Sequence, residues 1–229
     1  MGSLHQRVAR SALADAYGGL EQVVTSLTEA DFARASRCTG WTVADVLFHV
    51  LLDAQRALVA FGTPARTAPD LDYVSYWRNW MQPENASFAA AHARFVRISS
   101  AAYVDPTILA RHWQGTASAV LQLANGTPGT DRISTQGHVL TVSDLLGTLA
   151  VEVTIHHLDL LLELPGRALP RPSATELTVR TLDELLGENV TKPPWNDATW
   201  ILKATGREPL TTTERKVLGA HANRIPLLG

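Results

Sequence analysis

Glu152 and His156, four residues apart in LLGTLAVEVTIHHLDLLLEL, and His49 in GWTVADVLFHVLLDAQ are the side chains best suited to hold a metal ion in this chain. Residues i and i+4 of a helix are neighbours, about 5–6 Å between Cβ atoms, so Glu152 and His156 can share one ion. With Val142 at 0° and ~100° per residue, the apolar stripe Val142, Leu145, Leu146, Leu149, Val153 and Leu160 centres near ~0°. Glu152 then falls at ~280° and His156 at ~320°, within or beside the face that should be buried. A carboxylate so placed is paired or bound to a metal. Spacing alone leaves both readings open, a hydrogen-bonded core pair or a ligand pair. His49 lies ~120° from the centre of its own apolar stripe, Val43, Val46, Leu47, Val50, Ala54, Ala57 and Leu58. It shares that side with Asp45, Asp53 and Arg56, the pattern of a solvated polar stripe, and by spacing reads as a boundary histidine.

The stretch CTGWTVADVLFHV (Cys38 to Val50), followed about a hundred residues later by DLLGTLAVEVTIHHLDL (Asp144 to Leu160), resembles the mycothiol-dependent maleylpyruvate isomerase N-terminal family. That family belongs to the DinB-like metal-binding helix bundles. The resemblance covers most of residues 10 to 165 in order and spacing. It implies that His49, Glu152 and His156 hold a divalent metal, zinc or alternatively nickel, and that mycothiol, the low-molecular-weight thiol of actinobacteria, is the co-substrate. The high alanine content and the excess of arginine over lysine suit such a source.

Three protein ligands with an open position describe a catalytic zinc site rather than a closed structural one. The chemistry expected is attack of an activated thiolate on an electrophilic carbon of a small substrate, giving S-transfer or isomerisation. Metal-assisted hydrolysis or lyase chemistry without a thiol, and a non-catalytic metal- or ligand-binding bundle, stand as alternatives. Cys38 is the single cysteine, so no intrachain disulfide forms. It reads as a small residue in a turn, and any reactive thiol is expected from outside the chain. Asp159 can orient a ligand histidine or cap the helix, Asp53 can steady His49 or be solvated, and His157, Trp41 and Trp77 read as packing residues.

Size and charge exclude other classes. With 229 residues, 45% of them hydrophobic, the chain can bury one large core. A formal net charge of −2 offers no basic field for nucleic acid. No run of about 18 apolar residues suggests a membrane span, and Met1 to Arg10 is polar, so a cytoplasmic protein is expected.

The elements that must position these residues are helical throughout. Helices are expected over Ser3 to Thr25, with Gly18-Gly19 as a weak spot, and from the Thr42/Asp45 capping box to Phe61. A Trp-rich piece follows from Tyr73 to Met81, then a break at Gln82-Pro83 and a helical run from Asn85 to Ala102. A further helix runs from Asp105-Pro106 to Asn125-Gly126. Residues 127–141 are turn-rich with a short extended segment at Arg132 to Thr135. The helix of Glu152 and His156 is capped by Thr141 and ends at Pro165-Gly166. Residues 167–176 read as a linker. Ser173/Glu176, Asp197 and Thr211/Glu214 then cap three further helices.

The expected architecture is therefore all-α: a DinB-like four-helix bundle over 1–166 with a helical C-terminal extension over 167–229. Its surplus apolar stripes suit a homodimer. The enzyme that gives the family its name carries instead a mixed α/β C-terminal domain, whose arginine assists catalysis. No such domain is legible here, no arginine is carried over, and Arg207 and Arg224 read as solvated.

Overall fold

The computed structural model describes residues 2–80, 86–188 and 190–228; the expected break at Gln82-Pro83 lies outside them. The helices are α1 (Gly2–Val24), α2 (Val43–Phe61), α3 (Ser75–Trp80), α4 (Ala86–Ala101), α5 (Pro106–Gly126), α6 (Val142–Leu160), α7 (Pro172–Leu186), α8 (Asp197–Ala204) and α9 (Thr212–Leu218). The all-helical expectation holds. Helices α1, α2, α5 and α6 form the bundle, α1 against α5 and α6, and α2 against α5 and α6. Helix α4 lies on α2, while α7 packs on α1 and α6 and carries α8.

Local chemistry sets most boundaries. Thr42 caps α2 by accepting from the Asp45 N–H, and the Asp45 carboxylate accepts from the Thr42 N–H at 2.8 Å. Asp105 caps α5 with Pro106 at its first position. The predicted strand Arg132–Thr135 (β1) forms, and it pairs antiparallel with an unforeseen second strand, His138–Thr141 (β2). Gln136 and Gly137 join them with φ of 50° and 84°, the two positive values of a type I′ hairpin turn. Thr141 ends that hairpin and caps α6.

Three boundaries differ from expectation. Helix α6 ends at Leu160 and tightens into a 3₁₀ turn, Leu161–Glu163, before Pro165. Helix α7 begins at Pro172, so Ser173 is inside it, and the Ser173 N–H is taken by the Asp15 carboxylate of α1 at 3.0 Å. Asn196, one residue before Asp197, caps α8. The Gly18-Gly19 pair leaves α1 unbroken. A Cβ on Gly18 would lie 2.7 Å from the Arg171 guanidinium, so the glycine leaves room for that side chain to lie over α1.

Helix α6 decides the layout, because every residue of it except Glu152 is buried. Val142, Leu146, Leu149, Val153 and Leu160 join the bundle core with Leu13, Leu20, Leu47, Leu51 and Trp113. Val151, Ile155 and Leu158 join a second core with Leu182, Leu186 and Trp200 of α7 and α8. The second stripe sits near ~190° on the same wheel, opposite the first. Val142–Glu163 is apolar and long enough to cross a membrane, yet most of it is enclosed by the rest of the chain.

Lys203 of α8 and Glu214 of α9 tie the extension together. The Glu214 carboxylate accepts from Lys203 Nζ at 2.9 Å, from the Trp195 indole at 2.7 Å and from the Thr211 N–H at 2.7 Å. Burial would raise its pKa, but these donors outweigh burial and hold it at about 2. A carboxyl depressed in the folded state stabilises above its unfolded pKa and loses that contribution as pH falls toward the folded value. Glu214→Gln should therefore cost ~1–2 kcal/mol at neutral pH, after allowing for solvent screening. In thermal melts by circular dichroism, the gap to wild type should narrow between pH 4.5 and 2; a gap constant over that range contradicts the assignment.

Candidate metal centre

His49 stands on α2, two turns beyond the Thr42 cap, and Glu152 and His156 stand one turn apart on α6. The packing of α2 on α6 brings the three together. One ligand atom from each lies within 4.8 Å of the others. Glu152 Oε1 is 2.8 Å from His49 Nε2 and 3.3 Å from His156 Nε2. Donor atoms on a tetrahedral ion at 2.0–2.1 Å are about 3.3 Å apart, close to the two separations made by Glu152 Oε1. His49 is thus buried against α6, and not on the solvated stripe that its spacing suggested. The polar side of α2 faces the seam of α6 that lies between its two apolar stripes.

Both imidazoles have their outer nitrogen engaged. His156 Nδ1 is 2.9 Å from Asp159 Oδ2, and His49 Nδ1 is 3.1 Å from His92 Nε2 of α4. In each ring the other nitrogen, Nε2, faces Glu152. Engagement of the far nitrogen fixes ring orientation in metal-binding histidines. Asp53, one turn after His49, places Oδ2 3.5 Å from His49 Nε2 and is itself paired with Arg56 at 2.6 Å. The Trp41 ring lies 5.4 Å from the His49 ring, whereas Trp77 belongs to the second core, as a packing residue should.

Asp159 has no solvent exposure. Besides His156, its carboxylate accepts from the Cys38 thiol at 3.2 Å and from Arg207 Nε at 3.1 Å. Cys38 does sit in a turn, where the Trp41 N–H meets its carbonyl, but its sulfur also reaches the Nδ1 side of His156 at 3.7 Å. Arg207 is the clearest departure from the sequence reading: it is largely buried and aimed into the bundle. Arg224 is also engaged, donating to the carbonyls of Leu185 and Leu186 at the end of α7. Contacts between positions so far apart in the chain leave no local pattern.

The electrostatics suit a cation. Burial would raise the Glu152 carboxyl, but hydrogen bonds and charge from His156 and His49 hold it well below the usual range. Burial would lower His156, yet Cys38, Asp159 and Glu152 hold its pKa well above the usual value. The Asp53 carboxyl is raised, chiefly by burial. A site that retains a proton on a buried imidazole between carboxylates is one where a divalent ion can replace that proton. His157 is different. It is fully buried in the other direction, its Nε2 meets the Ala168 carbonyl at 2.9 Å, and burial pushes it down to about 4.

Residues 13–161 match the family described as mycothiol maleylpyruvate isomerase N-terminal domain. Among solved structures, the chain is similar to a crystal structure of the mycothiol-dependent maleylpyruvate isomerase, with a TM-score of 0.49 and 18% identity over 81% of this chain and 70% of that one. It is also similar to a crystal structure of a histidine-to-alanine mutant of mycothiol-dependent maleylpyruvate isomerase, with a TM-score of 0.55 and 16% identity over 91% and 90%. At 16% identity this second likeness bears on the fold alone. No curated protein matches the chain.

Proposed function

Because the chain belongs to the mycothiol maleylpyruvate isomerase N-terminal domain family, we propose that it is a cytoplasmic enzyme using a divalent ion, zinc by preference, and mycothiol to isomerise or S-conjugate a small electrophilic substrate. The observation that carries this reading is the grouping of His49, Glu152 and His156, with one ligand atom of each within 4.8 Å of the others and Glu152 Oε1 beside both Nε2 atoms. When bound there, a divalent ion supplies Lewis acidity and stabilises a thiolate near neutral pH.

The residues have distinct tasks. Glu152 supplies the anionic ligand, and with 22% of its side chain exposed it marks the side from which thiol and substrate approach. His49 and His156 supply neutral nitrogen ligands, held by His92 and Asp159. Trp41 covers His49 on one side. Cys38 is not the nucleophile in this scheme. Its thiol donates to Asp159 on the Nδ1 side of His156, away from Nε2. The external thiol gives up its proton to solvent, and its sulfur adds to one carbon of an activated double bond, whose π electrons move onto the conjugated carbonyl as an enolate. In S-conjugation the enolate takes up a proton and the C–S bond remains; in isomerisation rotation about the resulting single bond is followed by collapse of the enolate, which re-forms the double bond and expels the thiolate, and the thiolate regains its proton from solvent.

Two outcomes are expected. Wild-type protein dialysed against metal-free buffer should retain near-stoichiometric zinc or nickel by inductively coupled plasma mass spectrometry. His156→Ala should lose it while keeping its helical circular dichroism; wild type that takes up no ion after reconstitution sinks the metal reading. Turnover of electrophiles such as maleyl-type unsaturated acids should require added mycothiol. Equal turnover without thiol selects hydrolysis or lyase chemistry instead.

A further inference from the structure

Arg207 lies between α8 and α9, 48 positions from Asp159 in the chain. Its Nε is 3.1 and 3.3 Å from the two Asp159 oxygens, and its Nη2 is 3.2 Å from Oδ2. Its Nη1 donates to the Thr205 carbonyl at 3.0 Å, and 14% of the side chain is exposed. The arm that carries it is itself fixed. Thr205 is buried with its hydroxyl on the Ile201 carbonyl at 2.7 Å, and the Leu227 N–H bonds the Ala204 carbonyl at 2.7 Å.

The torsion that orients a carboxylate about its own axis is broad and soft. A planar guanidinium contacting both oxygens removes that freedom, which a point-charge ammonium does not. The orientation selected here is the one in which Oδ2 also meets His156 Nδ1 at 2.9 Å, leaving Nε2 toward Glu152 and His49. We infer that Arg207 is a positioning residue for the metal centre: it fixes the Asp159 carboxylate, Asp159 fixes the His156 ring, and the C-terminal extension thereby completes a site whose ligands all lie in the bundle. This inference rests on the metal reading above. It gives Arg207 no contact with substrate, because its fork is already engaged.

The test is metal affinity, measured by competition with a chromophoric zinc chelator on the full chain. Loss of an outer partner of a ligating histidine typically weakens binding about 10–100-fold. Arg207→Met and Asp159→Asn should each fall in that range, and Arg207→Lys, which keeps the charge without the fork, should fall between Arg207→Met and wild type. Because Arg207 acts through Asp159, adding Arg207→Met to Asp159→Asn should change affinity less than about twofold. Melting of each metal-free variant checks folding; if Arg207→Met does not fold, Arg207→Lys takes its place in the cycle. Wild-type affinity in the Arg207 variants, or equal losses in both backgrounds, overturns the inference and leaves the metal reading intact. Wild-type protein that binds no zinc overturns the metal reading itself.

Discussion

A helix buried on two opposite faces leaves only narrow seams for polar side chains, and in this chain one seam of α6 is the candidate metal centre. The bundle core claims the stripe through Leu146 and Val153, and α7 and α8 claim the stripe through Val151 and Ile155. Asp159, Glu152 and His156, at ~260°, ~280° and ~320°, share the space between. Polar groups confined there cannot reach bulk water freely, so each must find a partner inside. The partners come from every side: His49 from α2, Cys38 from the turn before it, and Arg207 from the extension.

The same confinement explains why the electrostatics are strong although the residues are few. Burial opposes the charge on Glu152, Asp159 and His156 alike, yet for each the neighbours win, and Asp159 is held at about 2. Breaking one member of such a group leaves an uncompensated buried charge, which costs far more than the loss of an exposed pair. The extension is thus bound to the bundle by a charge pair as well as by its apolar contacts.

What was legible in the sequence was what local spacing encodes. The caps at Thr42, Asp105, Thr141 and Thr211 and the i,i+4 placement of Glu152 and His156 all follow from short-range chemistry. His49 was misread by spacing because the wheel of α2 shows which residues differ from the main stripe, not what faces them. Its polar side is covered by α6, His92 and Trp41 rather than by water. Only the family resemblance grouped it with Glu152 and His156, the residues it lies beside in the structure. Arg207 had no signal at all, since its partner is distant in sequence and an arginine in a loop is ordinarily solvated.

His156 and His157 show what separates a candidate ligand from a core residue when type, helix and burial are nearly the same. His157 points toward α1, with its ring 3.5 Å from the place a Cβ on Gly19 would occupy, and has a single neutral acceptor in the Ala168 carbonyl. Its Nδ1 has no hydrogen-bond partner among the described residues, and burial outweighs the one hydrogen bond to Ala168 and disfavours its charged form. His156 has a carboxylate four residues before it and another three residues after it, one for each ring nitrogen. Neither spacing suffices by itself, because an i,i+4 carboxylate and histidine can simply pair. The second carboxylate takes Nδ1, so that Nε2 is the nitrogen left to face Glu152. On a helix otherwise apolar on both faces, that double spacing sets His156 apart from His157, and His49 of α2 adds a third side chain, with its Nε2 2.8 Å from Glu152.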